Sequence, residues 1–216
     1  MSAGFLDAAA RDAFARAITA IEAGSAAEVV VAVRRRAASY PHANAIIGGV
    51  VAFAALAAML FGDHVFALTS ILIDPFVAGG AAAGLVELVP AAKRLLAPRA
   101  MRARAVMQAA RAAFVERGVH NTEERSGLLV YVAWLERQVV LIPDSGLARQ
   151  LTGDVLPRSE RALTEALRGG GAAVADALAQ LAPMLAAAMA RRPDDRNELP
   201  DAIDSDLGRR HRGPRS

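Results

Sequence analysis

The sequence predicts an α/β domain interrupted by a helical hairpin that crosses a membrane. Three observations carry this expectation. Two apolar stretches are joined by a short polar turn, a valine-rich run precedes them, and two further β-branched runs follow. A chain of 216 residues could not bury both apolar stretches on all sides within one small soluble core.

Leu6, Ala10, Phe14, Ile18 and Ile21 recur at three- and four-residue steps, which predicts an amphipathic helix with charged residues on its other face. Gly24-Ser25 ends it. Glu28-Val29-Val30-Val31-Ala32-Val33 then reads as a strand buried on both faces, because it is apolar throughout and rich in β-branched side chains. Arg34, Arg35 and Arg36 close the strand.

Residues 46–62 carry no charge, and at helical rise they reach roughly 26 Å, close to the thickness of a bilayer's hydrocarbon. Gly62-Asp63-His64 makes the turn. The second stretch runs from Val65 to about Val89 and contains Asp74-Pro75. Aspartate followed by proline is the pattern of a helix cap, which predicts a helix start near the outer interface. Gly80 and Gly84 form a G-x-x-x-G, with Gly48 and Ala52 as a small-residue counterpart. Such spacing lets helix backbones approach, and it predicts packing within the hairpin ahead of contact with a second copy.

Arg34, Arg35 and Arg36 precede the first span, Lys93, Arg94, Arg99, Arg102 and Arg104 follow the second, and the connecting turn has no Lys or Arg. The positive-inside rule then places both termini and the α/β domain in the cytoplasm, with the hairpin in a bacterial inner membrane. No secretory signal is expected, since Asp7, Arg11 and Asp12 occupy the place of its apolar segment.

After the hairpin, 101–117 reads as an alanine-rich helix capped by Gly118. Residues 127–135 and 138–142 flank Glu136-Arg137 and predict an antiparallel hairpin. Pro143-Asp144-Ser145-Gly146 is a turn, followed by a helix that stops before Pro157. A helix over 159–167, the break Gly169-Gly170-Gly171, and a helical pattern through Val174, Leu178, Leu181, Leu185 and Met189 complete the domain. The expected organisation is therefore 1–40 for the first helix and strand, 41–97 for the hairpin with its basic flanks, 98–190 for the rest of the domain, and 191–216 for a disordered charged tail.

Composition excludes several chemistries. There is no cysteine, so disulfides, thiolate catalysis and cysteine-bound zinc are ruled out. Net charge is only +3 and aromatic content 5%, which argues against a nucleic-acid partner and favours an anionic membrane face. No G-x-S-x-G, Walker A or H-E-x-x-H pattern occurs, and His42, His64, His120 and His211 lack ligand spacing. The glycine triplet joins two helices instead of following a strand, which makes it a flexible break rather than a phosphate loop.

Several segments resemble TPM domains. Ser25-Ala26-Ala27-Glu28-Val29-Val30-Val31-Ala32-Val33 looks like the first strand of that family. Thr122-Glu123-Glu124-Arg125-Ser126-Gly127-Leu128-Leu129-Val130-Tyr131-Val132 resembles its second strand. Leu135 through Leu147 resembles its third strand and the following turn. The resemblance covers about residues 5–36 and 100–190, with the elements in the family's order. It implies a small α/β/α sandwich around a mixed sheet, and a role in maintaining or regulating membrane complexes. Some members have been proposed to be acid phosphatases or to bind divalent metal, and many are described with the domain outside the cytoplasm. Two departures stand out here. The hairpin lies inside the domain, and Arg125-Ser126-Gly127 stands where many members have an Asp-Asn-Gly-like lead-in.

A divalent cation, calcium or magnesium, would need clustered oxygen ligands, and Glu28, Glu123, Glu124 and Asp144 are the candidates. With a two-residue turn at Glu136-Arg137, Asp144 falls opposite Leu129 and Glu124 lies about 17 Å farther along, so that only a sharp bend before Gly127 brings them together. The expected function is a membrane-tethered binding or regulatory module whose partners are the bilayer and another membrane protein. The alternative is a metal-dependent, phosphatase-like hydrolase.

Overall fold

A computed structural model describes residues 4–86, 89, 96, 98–192, 198–199 and 203–207. Lys93 and Arg94, two of the expected flanking cations, lie outside the described residues, as do Arg209, Arg210, Arg212 and Arg215.

Helix α1 (Ala8–Gly24) starts where Asp7 accepts a hydrogen bond from Ala10 N at 2.8 Å, satisfying one of the free amides of the first turn. Its buried face carries Phe14, Ile18 and Ile21. It ends where the Ser25 hydroxyl donates to Ile21 O at 2.8 Å. Strand β1 (Glu28–Arg34) follows. Helices α2 (Pro41–Phe61) and α3 (Leu68–Leu85) form an apolar hairpin between β1 and everything later. Next come α4 (Arg99–Glu116), β2 (Gly127–Ala133), β3 (Gln138–Pro143), α5 (Ser145–Gln150) and α6 (Val155–Ala166). A 3-10 turn, Leu167–Gly169, leads to α7 (Gly171–Ala179) and α8 (Ala182–Ala188), and β4 (Asp204–Ser205) comes last.

The four strands make a mixed sheet in the order β3-β2-β1-β4, with β1 parallel to β2 and β4, and β2 antiparallel to β3. Alternation along the strands separates two apolar layers. Val29, Val31, Val33, Leu128, Val130, Val132, Val139 and Leu141 pack with α1 and α5 to α8, among them Phe14, Leu147, Leu163, Leu178 and Leu185. Val30, Ala32, Leu129, Tyr131, Ala133 and Val140 pack with Val106, Ala110 and Ala113 of α4. The domain is thus an α/β/α sandwich, and burial on both faces explains why β1 and β2 read as unbroken apolar runs.

Four elements differ from the sequence expectation. The turn between β2 and β3 is four residues, Trp134 to Arg137, so Ala133 pairs with Gln138. Past Ala133 the chain leaves β3 and follows β1 instead: Trp134 N donates to Arg34 O at 2.9 Å and Leu135 N to Arg35 O at 3.0 Å. Arg137 closes the turn at φ 55° and lies 4.3 Å over the Trp134 ring. The helix that begins at Ser145 does stop before Pro157, at Gln150, but the next one starts at Val155 instead of Ser159: Pro157 is the third residue of α6, where proline's missing N–H has no partner to lose. Helix α3 runs through Asp74-Pro75, so Asp74 is not a cap; the helix begins six residues earlier, after Ala67. Finally, the tail is not wholly without structure. Ala32 and Val33 of β1 pair with Asp204 and Ser205, and the Asp204 carboxylate is bound by both Arg34 and Arg117. An unpaired edge of β1 would leave buried N–H and C=O groups unsatisfied, and this short segment covers them.

Tyr131 provides a probe of the α4-side layer. Burial pushes its phenol up to about 12; Arg34 pulls it down, while Glu136, Asp206 and Glu116 raise it further. Folding therefore favours the neutral phenol. That stabilisation is complete below pH 10, where the unfolded side chain is also neutral, and is lost as pH rises toward 12. The loss amounts to roughly 2 to 3 kcal/mol. Tyr131→Phe is expected to flatten the fall in stability between pH 10 and 12, measured by urea unfolding at each pH.

Candidate functional site

The carboxylates singled out in the sequence gather at one end of the sheet, where β1 and β2 begin and β3 ends. Glu28 pairs in register with Gly127, and Asp144 N donates to Gly127 O at 2.7 Å. Asp144 therefore stands opposite Gly127 instead of Leu129, a shift of two residues that follows from the longer turn at the far end.

A bend ahead of Gly127 brings the preceding loop back onto α5. Arg125 has φ 56°, its N–H donates to Thr122 O at 3.2 Å, and Ser126 N donates to the Thr122 hydroxyl at 2.9 Å. Leu147 N donates to Arg125 O at 3.1 Å. The approach is close enough that a Cβ on Gly146 would lie 2.1 Å from Glu124 O and 2.7 Å from Arg125 O. The bend that the register argument required is present, and glycine at 146 is what admits it.

Three of the four candidate carboxylates, those of Asp144, Glu28 and Glu124, already have partners. Asp144 Oδ1 accepts from Ser145 N at 2.6 Å, capping α5. Its Oδ2 is buried without a hydrogen bond and has Arg125 Nη1 at 3.8 Å. Glu28 Oε2 accepts from Leu199 N at 3.4 Å. Glu124 is ion-paired with Arg192, and Glu123 meets the cluster through its amide, which donates to Glu198 Oε2 at 2.9 Å. Glu22, unmarked in the sequence reading, accepts from Val29 N at 3.2 Å. Among the described residues no three His, Asp or Glu side chains come together as a metal site. Glu28 and Asp144 flank Gly127, but Glu123 and Glu124 do not complete a ligand set with them. This end of the sheet uses its acids as acceptors for backbone amides.

His120 sits beside Phe114, with ring centroids 6.1 Å apart, and its carbonyl accepts from Arg125 Nη1 at 3.0 Å. Of the expected orienting cations, Arg34 is held by Asp204, and Arg35 offers its amide to Asp206 Oδ1 at 2.7 Å.

The hairpin is the second candidate feature. Helix α2 has a mean hydropathy of 2.2 with 6% of its most apolar window buried; α3 has 1.5 and 11%. Both are long and apolar enough to span a membrane, at about 31 and 27 Å. Phe53 and Phe76 are each 73% exposed. A third apolar segment, Gly171–Ala188, has hydropathy 1.4. It is broken into α7 and α8, and its Val174, Leu178 and Leu185 belong to the sheet's core. The two long helices pack through Gly48 and Gly79. A Cβ on Gly79 would lie 2.6 Å from Gly48 O and 2.9 Å from Ala52 Cβ, and one on Gly48 would lie 3.1 Å from Ala83 Cβ. Gly48 and Ala52 face the contact as expected, whereas Gly80 and Gly84 do not: neither has an atom within 4 Å of its Cβ position. The seam is one residue out of step with the G-x-x-x-G because Gly79 and Ala83 form an equivalent small pair.

The architecture defines an α/β sandwich with an inserted apolar hairpin. No family model matches the chain, and no curated protein does. A solved structure similar to it is the NMR structure of the BA42 protein from the psychrophilic bacterium Bizionia argentinensis, with a TM-score of 0.58 and 17% identity over 93% of this chain and 95% of that one. At that identity the likeness is one of fold.

Proposed function

We propose that the chain is a TPM-like domain carried on a two-helix membrane anchor, acting as a binding or regulatory module for another membrane protein on the cytoplasmic side. The observation that carries this reading is the hairpin, two apolar helices whose large side chains point outward. In water such a surface would be far larger than a monomer exposes, whereas lipid accepts it. The resemblance of 25–33, 122–132 and 135–147 to TPM strands supports the family assignment. For the hydrolase alternative, Asp144 and Glu28 already accept from the Ser145 and Leu199 amides and Glu124 is paired with Arg192.

Sedimentation of native membranes tests the anchor. The protein is expected to remain in the pellet after alkaline carbonate and high salt; release of intact protein by either would overturn the reading. Protease added to inside-out vesicles is expected to digest the α/β domain, and digestion only from the opposite face would reverse the orientation. Crosslinking in the same membranes then asks for the partner.

A further inference from the structure

The two edges of the sheet are closed by different means. Along β3, outward amides go to side chains of α6: Val139 N donates to the Thr164 hydroxyl at 3.0 Å and Leu141 N to Glu160 Oε1 at 2.9 Å. Helix α6 is fixed in the core by Leu163, so this edge is sealed against another strand. The β1 edge is closed by backbone instead, and that backbone belongs to the C-terminal segment. Among the described residues β4 pairs with Ala32 and Val33, whereas β1 is seven residues long. Asp206 N adds a bond to Val33 O at 3.3 Å.

Two carboxylates pin this segment. Asp204 is bound by both Arg34 and Arg117, and Arg34 Nη1 also donates to the Asp204 carbonyl at 3.1 Å. Asp206 Oδ1 accepts from Arg35 N at 2.7 Å. Ile203 and Leu207 rest half-buried on the α1-side layer. A short segment held by a few ionic and hydrogen bonds is the kind of structure that opens locally while the domain stays folded.

We propose that the β1 edge is a docking groove for an extended acidic peptide of a partner protein, and that residues 203–207 hold it shut in cis. The resident segment displays what the groove selects. It pairs in parallel with Ala32 and Val33, places one carboxylate between Arg34 and Arg117, and sets a second carboxylate two residues on at the Arg35 amide. Ile203, Ser205 and Leu207 alternate with these acids, so the sheet's inner layer receives the apolar side of the strand. A partner segment with the same alternation meets the same groups. While 203–207 is bound, the open groove is a minor state, and a partner's apparent affinity is reduced by that fraction. The inference deepens the binding-module reading and rests on it; it needs nothing from the membrane anchor.

A labelled peptide with the sequence of residues 198–207 is the probe, and the full chain in detergent micelles is the receptor. The unsubstituted chain is expected to bind it weakly. Asp204→Ala with Asp206→Ala, in the protein alone, is expected to free the groove and tighten peptide binding about tenfold or more. Adding Arg117→Ala to that protein should undo the gain, and so should the same two aspartate substitutions in the peptide. Hydrogen exchange reports on the groove itself. The Val33 amide lies on the same side of β1 as the carbonyl that meets Asp206; it should lose protection while β2 keeps its own, and peptide should restore it. A Val33 amide that stays protected makes 203–207 a fixed strand, and loss across β2 as well makes it an integral one; either overturns the inference. So does a freed groove that leaves the peptide unbound, or that binds it equally without its carboxylates. A dimer of the full chain that the two substitutions dissociate makes the occupant a second copy's tail, and overturns a partner peptide. These outcomes leave the binding-module reading standing. That reading fails if crosslinking in native membranes captures no partner, and the inference fails with it.

Discussion

Gly146→Ala is expected to lower the stability of the α/β domain by about 3 kcal/mol, the upper end of the usual cost of overpacking. The new methyl would lie 2.1 Å from Glu124 O and 2.7 Å from Arg125 O, both backbone atoms that no side-chain rotation can move. Relief requires the 122–126 bend and α5 to separate. Separation breaks the Leu147 N to Arg125 O hydrogen bond and exposes the otherwise buried Asp144 and Leu147. Chemical denaturation gives the size of the effect. Hydrogen exchange gives its place: the amides of Arg125, Ser126 and Leu147 should lose protection before those of β1. A change below about 0.5 kcal/mol, the level of an ordinary surface substitution, would show that the loop yields freely.

Gly79→Leu is the second large effect, in the other unit of the chain. Its side chain would enter the seam against Gly48 O and Ala52, where the helices touch through backbone. Lipid offers no hydrophobic drive to hold helices together, so close packing carries the association. Loss of the fit is expected to splay the hairpin at a cost of roughly 2 kcal/mol. Gly80→Leu, one residue along and facing outward, is the matched control and should leave the hairpin closed. Fluorophores on cysteines introduced at His42 and Leu85 report the distance between the two helix ends. Energy transfer should fall for Gly79→Leu alone; equal behaviour of the two variants would refute the assigned seam.

The elements that the sequence revealed are those whose burial is uniform along their length. Strands β1 and β2 are covered on both faces, so Val29–Val33 and Leu128–Ala133 form unbroken apolar runs. Helix α2 has no Asp, Glu, Lys or Arg and α3 has only Asp74, so the hairpin is equally plain. What escaped the sequence depends on contacts between distant residues. The β2–β3 register is set by Trp134 and Leu135 following β1, which no local turn rule contains. Strand β4 is two residues long and stands on Asp204 between Arg34 and Arg117, too short to show a period. Asp74-Pro75 resembles a helix start because proline removes a single backbone donor; the neighbouring turns of α3 carry the helix past it. At the candidate site Glu28, Glu124 and Asp144 stand out by residue type alone; their side chains spend acceptors on Leu199, Arg192 and Ser145, and such pairing is invisible before the fold is known.

The insertion of the hairpin between β1 and α4 makes the sheet a test of topology. Glu28 and Gly127 are hydrogen-bonding neighbours in register, yet about a hundred residues of chain lie between them, a separation that delays their pairing until late in synthesis. In a bilayer, β1 can reach β2 only if the chain has crossed an even number of times. A nascent protein with one span missed would leave β1 on one side and β2, β3 and α4 on the other, with the central strand absent and both apolar layers open to water. Such a chain cannot assemble its sheet and is left as a substrate for proteolysis. A complete domain is therefore incompatible with a hairpin that has only one of its helices across a bilayer, a constraint that an anchor appended at either terminus would not impose.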